Sequence, residues 1–195
     1  MERDLLPLVW PASIPDVTTQ RLRLRAPRPG DAPALLAILE DPEVTRYHNV
    51  PTLATLADAE ALLEQLAARQ AARETIRWAI ELAGHDGMIG TVGLLRFSVE
   101  HRRAEVGYEL GRRWWGRGLM PEAAAAVVRY GFAGLGLHRI EAGVLPANAA
   151  SVRVLQKLGF LEEGTLRDYL YQNGVFRSFR WFSRLATDET PAPLR

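Results

Sequence analysis

The chain has no cysteine, which removes disulfides, thiolate metal sites and a cysteine nucleophile in one step and agrees with a reducing compartment. It also lacks any apolar run approaching the roughly 18 residues that a membrane-spanning helix needs, and no basic stretch followed by a long apolar one opens the sequence. Neither a signal peptide nor a membrane span is expected, and the location read from this is cytoplasmic. Charge of one sign is missing too: 24 Lys and Arg stand against 23 Asp and Glu, a net of +1. No overall field draws in nucleic acid, so any basic function must be local.

What the chain does contain is enough apolar material for a core. At 195 residues and 48% apolar content, it suits one domain better than two. The expected division is an extended arm over residues 1–17, a single domain over 18–186 and a flexible tail over 187–195. Pro7, Pro11 and Pro15 prevent a continuous helix in the arm, while Leu5, Leu6, Leu8, Val9 and Trp10 need a surface to dock on, either the domain or a second subunit.

Thr19 to Arg25 alternates, with Leu22 and Leu24 on one side and Arg21, Arg23 and Arg25 on the other, which predicts a half-buried strand with a solvated arginine face. Pro29-Gly30-Asp31 opens a first helix whose stripe is Ala34, Leu35, Ile38 and Leu39. Pro42 and Pro51 then break the pattern around Val44, Tyr47, His48 and Asn49, a loop or irregular helix of the kind that carries function. A second helix follows from about Leu56 to Ala72. Ile76 to Leu82, Met88 to Ser98 and Ala104 to Leu110 read as an antiparallel meander. After it come a helix to about Gly134, a short strand over Arg139–Val144, a helix capped by Asn148 and closed by Gly159, and a final hairpin from Thr165 that turns at Gln172-Asn173-Gly174. The fold class is α/β in the α+β sense: a mixed, mostly antiparallel sheet of six to seven strands with helices on both faces.

Arg113-Trp114-Trp115-Gly116-Arg117-Gly118 joins the meander to the alanine-rich helix that begins near Leu119. Two glycines one residue apart let the backbone approach a ligand, and the helix start leaves its first amides aimed at that ligand, which favours an anion. The plainer alternative is a connection that needs glycine only for its backbone angles. A nucleotide-binding loop of the NTPase kind is disfavoured, because the glycines lack a following Lys-Ser/Thr.

That element order, Arg113-x-x-Gly116-x-Gly118, and Asn148-x-x-Ser151-x-x-Val154-Leu155-x-x-Leu158-Gly159-Phe160 together resemble the GNAT acyltransferases. Glu105-Val-Gly-Tyr-Glu-Leu110, Trp115-Gly116-Arg117-Gly118 with Glu122-Ala123, and the Asn173-Gly174 hairpin are similar to the branch of RimJ- and RimL-like ribosomal-protein N-terminal acetyltransferases. The resemblance runs from Thr18 to Leu185. It implies acetyl-CoA as cosubstrate, with its pyrophosphate on the amides from Arg113 to Leu119 and its pantetheine along the strand near Leu110. The implied cofactor-binding set is Leu110, Arg112, Arg113, Trp115, Gly116, Arg117, Gly118, Leu119, Asn148, Ser151 and Arg153, with no metal. The implied acceptor is an amine, foremost the α-amine of a ribosomal or other protein N-terminus. A small-molecule amine is the alternative, and a non-catalytic acyl-CoA-binding module is the reading from another class. Monomer and homodimer both stay open. Where the branch often has an acidic residue after the Asn-Gly turn, Arg177-Ser178-Phe179-Arg180 stands here, so acceptor preference does not carry over.

Acetyl transfer by direct attack through a tetrahedral intermediate needs a neutral amine, a place for the oxyanion and a proton for the departing thiolate. An α-amine is roughly 10% neutral at pH 7 and a lysine only about 0.04%, so a terminal amine asks less of the base. Glu105 and Glu109 share a strand face if no bulge separates them, and Glu105 is favoured as base, directly or through water, with Glu109 as the other candidate. Ser151 at a helix N-terminus is the preferred donor to the thiolate, and Tyr108 is an alternative acid. Asn148 fits a cap or a cofactor contact. Tyr169 and Tyr171 are candidates for the acceptor groove, and His48 and His138 read as structural.

Overall fold

The structure is a computed structural model that describes residues 8–48, 51–172 and 174–189. Leu5, Leu6, Pro7, Asn49, Asn173 and the tail from residue 190 lie outside the described residues. The elements in chain order are β1 (Val17–Thr18), β2 (Leu22–Arg25), α1 (Ala32–Leu39), α2 (Pro42–Thr45), α3 (Leu56–Ala71), β3 (Thr75–Leu82), β4 (Met88–Ser98), β5 (Arg103–Leu110), α4 (Leu119–Ala133), β6 (Arg139–Val144), α5 (Ala149–Lys157), β7 (Leu161–Gln172) and β8 (Val175–Leu185). Short 3-10 turns at Pro29–Asp31 and Arg112–Trp114 lead into α1 and toward α4.

All strands join one sheet in the order β1-β2-β3-β4-β5-β6-β8-β7. The eighth strand, beyond the six to seven expected, is the two-residue β1, too short to leave a periodic signal. Pairing is antiparallel throughout except between β5 and β6. β7 also begins at Leu161, earlier than the expected Thr165, because the strand continues through Gly164 at φ +147°.

The sheet is covered on both faces, as alternation along β3 shows. Ile76, Trp78 and Ile80 enter one core with α4 and α5, whereas Ala79 joins a second core with α1 and α3. Arg21 and Arg23 are exposed, as the expected arginine face requires, but this double cover corrects the expectation at Arg25. Arg25 is buried, its Nη2 donating to Asp31 Oδ1 and its Nε to Glu81 Oε1, both at 2.6 Å. A buried guanidinium needs such partners. The arm docks along the α4 core: Trp10 meets Phe97 edge-on at 5.0 Å, and Trp78 Nε1 donates to Pro15 O at 2.8 Å. Among the described residues, no helix is long and apolar enough to cross a membrane.

Helix ends follow local chemistry. Thr55 and Asp58 form a reciprocal capping box on α3, and Asn148 Oδ1 accepts from Ser151 N at 3.1 Å to cap α5. Gly159 at φ +76° closes α5, letting Phe160 turn back into the core.

Candidate active site

β5 and β6 pair only over Arg103–Glu105 and Arg139–Glu141, although both strands continue, so they splay apart beyond Glu105. Gly111 N–H donates to Ile89 O at 2.9 Å, in register with the β4 pairing. Antiparallel alternation therefore turns the main-chain groups of Tyr108 and Leu110 away from β4 and into the splay. Trp115 Nε1 donates to Leu110 O at 2.7 Å, which engages that carbonyl, while Leu110 N–H and both Tyr108 groups face the splay with no β6 ladder partner among the described residues.

The turn beyond β5 has the backbone that an anion cradle requires. Gly116 and Gly118 stand at φ +74° and +72°, where a Cβ is costly, and Gly118 leads directly into α4. Among the described residues, no protein acceptor meets the N–H groups of Gly116, Arg117, Gly118, Leu119 or Met120. Acetyl-CoA fits this arrangement, because its amides match the splayed strand and its pyrophosphate matches the converging N–H groups.

Of the arginines expected to reach phosphate, Arg113 and Arg117 stack on the buried Trp114 at 4.8 and 5.0 Å. Arg112 sits 3.7 Å from Asp41, and Arg153 is exposed on α5. A further cation at the cradle was not among those expected. Arg21 Nη1 donates to Arg117 O at 2.9 Å, and its Nε donates to Glu122 Oε2 at 2.7 Å. Thr19 Oγ1 donates to Glu122 Oε1 at 2.6 Å, so Glu122 ties the β1–β2 turn to the first turn of α4. The alternating arginines read as a solvated face concealed this contact, whose partners are about a hundred residues apart.

Along β5 the side chains divide between faces. Ala104, Val106, Tyr108 and Leu110 turn toward the α4 core, leaving Glu105, Gly107 and Glu109 on the opposite face. The β4 register runs without a bulge from Glu105 to Glu109, so the two carboxylates do share a face. They are held differently. Glu105 accepts from Arg96 Nη1 at 2.5 Å, and burial, partly offset by Arg96, raises its pKa above the usual carboxylate range. Glu109 is bound by both Arg77 and Thr91.

On the other face, Tyr108 Oη lies 2.9 Å from Ser151 Oγ at the start of α5. Burial pushes the Tyr108 hydroxyl up to about 12, so it stays protonated at neutral pH. The expected catalytic residues thus form two groups, Tyr108 with Ser151 on one face of β5 and Glu105 on the other. Asn148 spends its side-chain oxygen on the cap.

A cleft of about 700 Å³ is bounded by Pro42 and Thr45–His48 with Pro51 and Thr52, by Leu145–Ala147 and by Phe176–Ser178. His48, read as structural, lines it and feels the charges of Glu109 and Arg77, while burial lowers its pKa. Its position in a loop between two prolines was the available signal. Tyr169 and Tyr171 do not line this cleft: Tyr169 packs edge-on against Trp181 at 5.5 Å and Tyr171 against Phe176 at 5.0 Å.

Residues 21–161 match the family model described as the acetyltransferase (GNAT) domain. The uncharacterized N-acetyltransferase YoaA of Bacillus subtilis strain 168 is 42% identical over 161 residues, covering 83% of this chain and 91% of that protein. The ribosomal protein uS5-alanine N-acetyltransferase of Escherichia coli strain K12 is 40% identical over 86 residues, 44% of each chain. The structure of Mycobacterium smegmatis RimJ in complex with CoA-disulfide superposes with a TM-score of 0.78 at 26% identity, over 87% of this chain and 85% of that one.

Proposed function

The chain belongs to the GNAT family and is an acetyl-CoA-dependent N-acetyltransferase, and on that premise we propose that its acceptor is the α-amine of a protein or peptide N-terminus. The observation that carries this reading is the cleft of about 700 Å³, which opens between three loops, has His48 in its lining close enough to feel the Glu109 charge, and has room for the first residues of a chain. The segment shared with the uS5-alanine N-acetyltransferase supports the same class of acceptor.

The steps divide between the two faces of β5. Glu105, directly or through one water, takes a proton from the ammonium, and its raised pKa brings it closer to the operating pH of a base. The neutral amine then attacks the thioester carbonyl carbon: a C–N bond forms and the C–S bond breaks. The departing thiolate takes a proton from Ser151 Oγ, which regains one through its contact with Tyr108 Oη. The second proton that the nitrogen sheds on becoming an amide passes to solvent and restores the balance. With Tyr108 as the donor across this 2.9 Å contact, the serine proton is free to point at the sulfur. The cradle amides and the main-chain groups of Tyr108 and Leu110 hold the cosubstrate in line.

The experiment is a thiol-release assay with acetyl-CoA against peptides with free N-termini, the same peptides blocked at the N-terminus but carrying a lysine, and small polyamines. Release with the free α-amines alone is the expected result. Turnover of the blocked peptides or the polyamines with none of the free termini would remove the α-amine assignment.

A further inference from the structure

The cleft has an uneven charge. Its charged or titratable lining groups are Arg46, Tyr47, His48 and Arg177, alongside the hydroxyls of Thr45, Thr52 and Ser178, and among the described residues no Asp or Glu lines it. Burial lowers the His48 pKa, favouring a neutral imidazole at neutral pH. The neighbouring carboxylates are committed elsewhere. Glu43 accepts from Arg46 at 3.4 Å, Asp41 caps Glu43 N and faces Arg112, and Asp168 bonds with Ser178. Glu109, behind His48, is bound by Arg77 and Thr91. Arg177 alone among the lining arginines forms no ion pair with any described residue.

An acceptor enters as an ammonium. In a cleft lined by guanidinium groups and no carboxylate, a purely cationic acceptor is repelled, whereas one that brings its own negative charge is drawn in and oriented. Taking the α-amine reading above as given, we infer that the preferred acceptor carries an anionic group close to its reactive amine, an acidic residue next to the N-terminal one, and that Arg177 binds that group. Arg46 contributes less, since Glu43 offsets its charge and its side chain lies over Tyr47. The hairpin position of Arg177, between Phe176 and Ser178 in the cleft lining, suits contact with the second residue of a chain whose first residue reaches toward β5.

The test uses three peptides identical except for Glu, Gln or Lys after an N-terminal Ala. The expected order of kcat/KM is Glu, Gln, Lys, with about tenfold between the extremes, as reversal of one partly screened charge implies. Arg177→Gln should flatten the series and Arg177→Glu should invert it, with circular dichroism and acetyl-CoA affinity unchanged. Raising the salt to about 0.5 M should shrink the wild-type preference. Equal kcat/KM for the three peptides, or a folded Arg177→Glu variant that still prefers Glu, overturns the inference. If none of the peptides is acetylated, the α-amine reading falls by itself. Calorimetry with the N-acetylated Ala-Glu and Ala-Lys peptides then still reads the charge preference, tighter binding of the acidic one supporting it and equal binding ending it.

Discussion

At the scale of single residues, Glu105 and Glu109 share a strand and a face but not an environment. Glu109 is bound by Arg77 and Thr91, whereas Glu105 accepts from one guanidinium, Arg96, and has a pKa raised by burial. The acidic limb of kcat/KM should therefore lie above the usual carboxylate range. Glu105→Gln should remove that limb and lower the rate by on the order of 10²-fold or more between about pH 5 and 9, read by thiol release; full activity across that range would return the role to water or to another group. Ser151→Ala should lower kcat, also on the order of 10²-fold, while leaving acetyl-CoA affinity near that of the wild type, since the serine acts on the departing thiolate. The strand positions of Glu105 and Tyr108 and the helix start at Ser151 were legible, because strand parity and a cap place them in the sequence itself. His48 was not, because its position over Glu109 and Arg77 comes from three elements meeting.

At the scale of elements, the cradle joins a turn to a helix and is braced by a strand far away in sequence. Glu122 lies in the first turn of α4, where a carboxylate suits the dipole but would oppose a bound pyrophosphate. Thr19 and Arg21 hold it by 2.6 and 2.7 Å bonds and keep its pKa below the usual range. Glu122→Ala should loosen the turn and weaken acetyl-CoA binding by about tenfold, the loss of a charge-assisted contact, with acetyl-pantetheine turnover unchanged because it lacks the pyrophosphate. Gly118→Val, at φ +72°, should weaken the same binding further. Calorimetry with acetyl-CoA decides both, and an unchanged affinity for Gly118→Val would withdraw the cradle. The glycine spacing of the turn could be read from sequence. Its brace could not, because alternation reports which side of a strand a residue occupies and not what covers that side.

At the scale of the whole molecule, the sheet face beneath α1 and α3 carries ion pairs rather than a bare apolar surface. Arg25 joins Asp31 and Glu81 inside it, so Arg25→Ala, by leaving two carboxylates without their partner, should cost about 3–5 kcal/mol in denaturant unfolding. Acid stability follows from the carboxylates whose folded pKa is depressed. Asp31 and Glu122 are lowered by their hydrogen bonds, and Glu163 falls to about 2 through Arg139 and Ser183. Such groups stabilise the fold above their unfolded pKa, and that contribution is lost as pH falls through the folded value. For Glu163 the window runs from the ordinary glutamate value of 4.5 down to about 2. Glu163→Gln should flatten stability against pH in that window, measured by thermal melts. Glu105, with a raised pKa, acts in the opposite sense and contributes none of this loss.

By itself the sequence determined the order of helices and strands, the glycine turn that leads into α4, the cap at Asn148 and the two-sided placement of Glu105 against Tyr108. Each is local, set by periodicity, a backbone angle or one side chain bonding to its own backbone. Tertiary structure alone decided the burial of Arg25, the brace from Arg21 to Glu122, the splay of β5 from β6 beyond Glu105 and the arginine-lined cleft. These depend on which surfaces meet when distant segments fold together, and nothing within a ten-residue window carries that information.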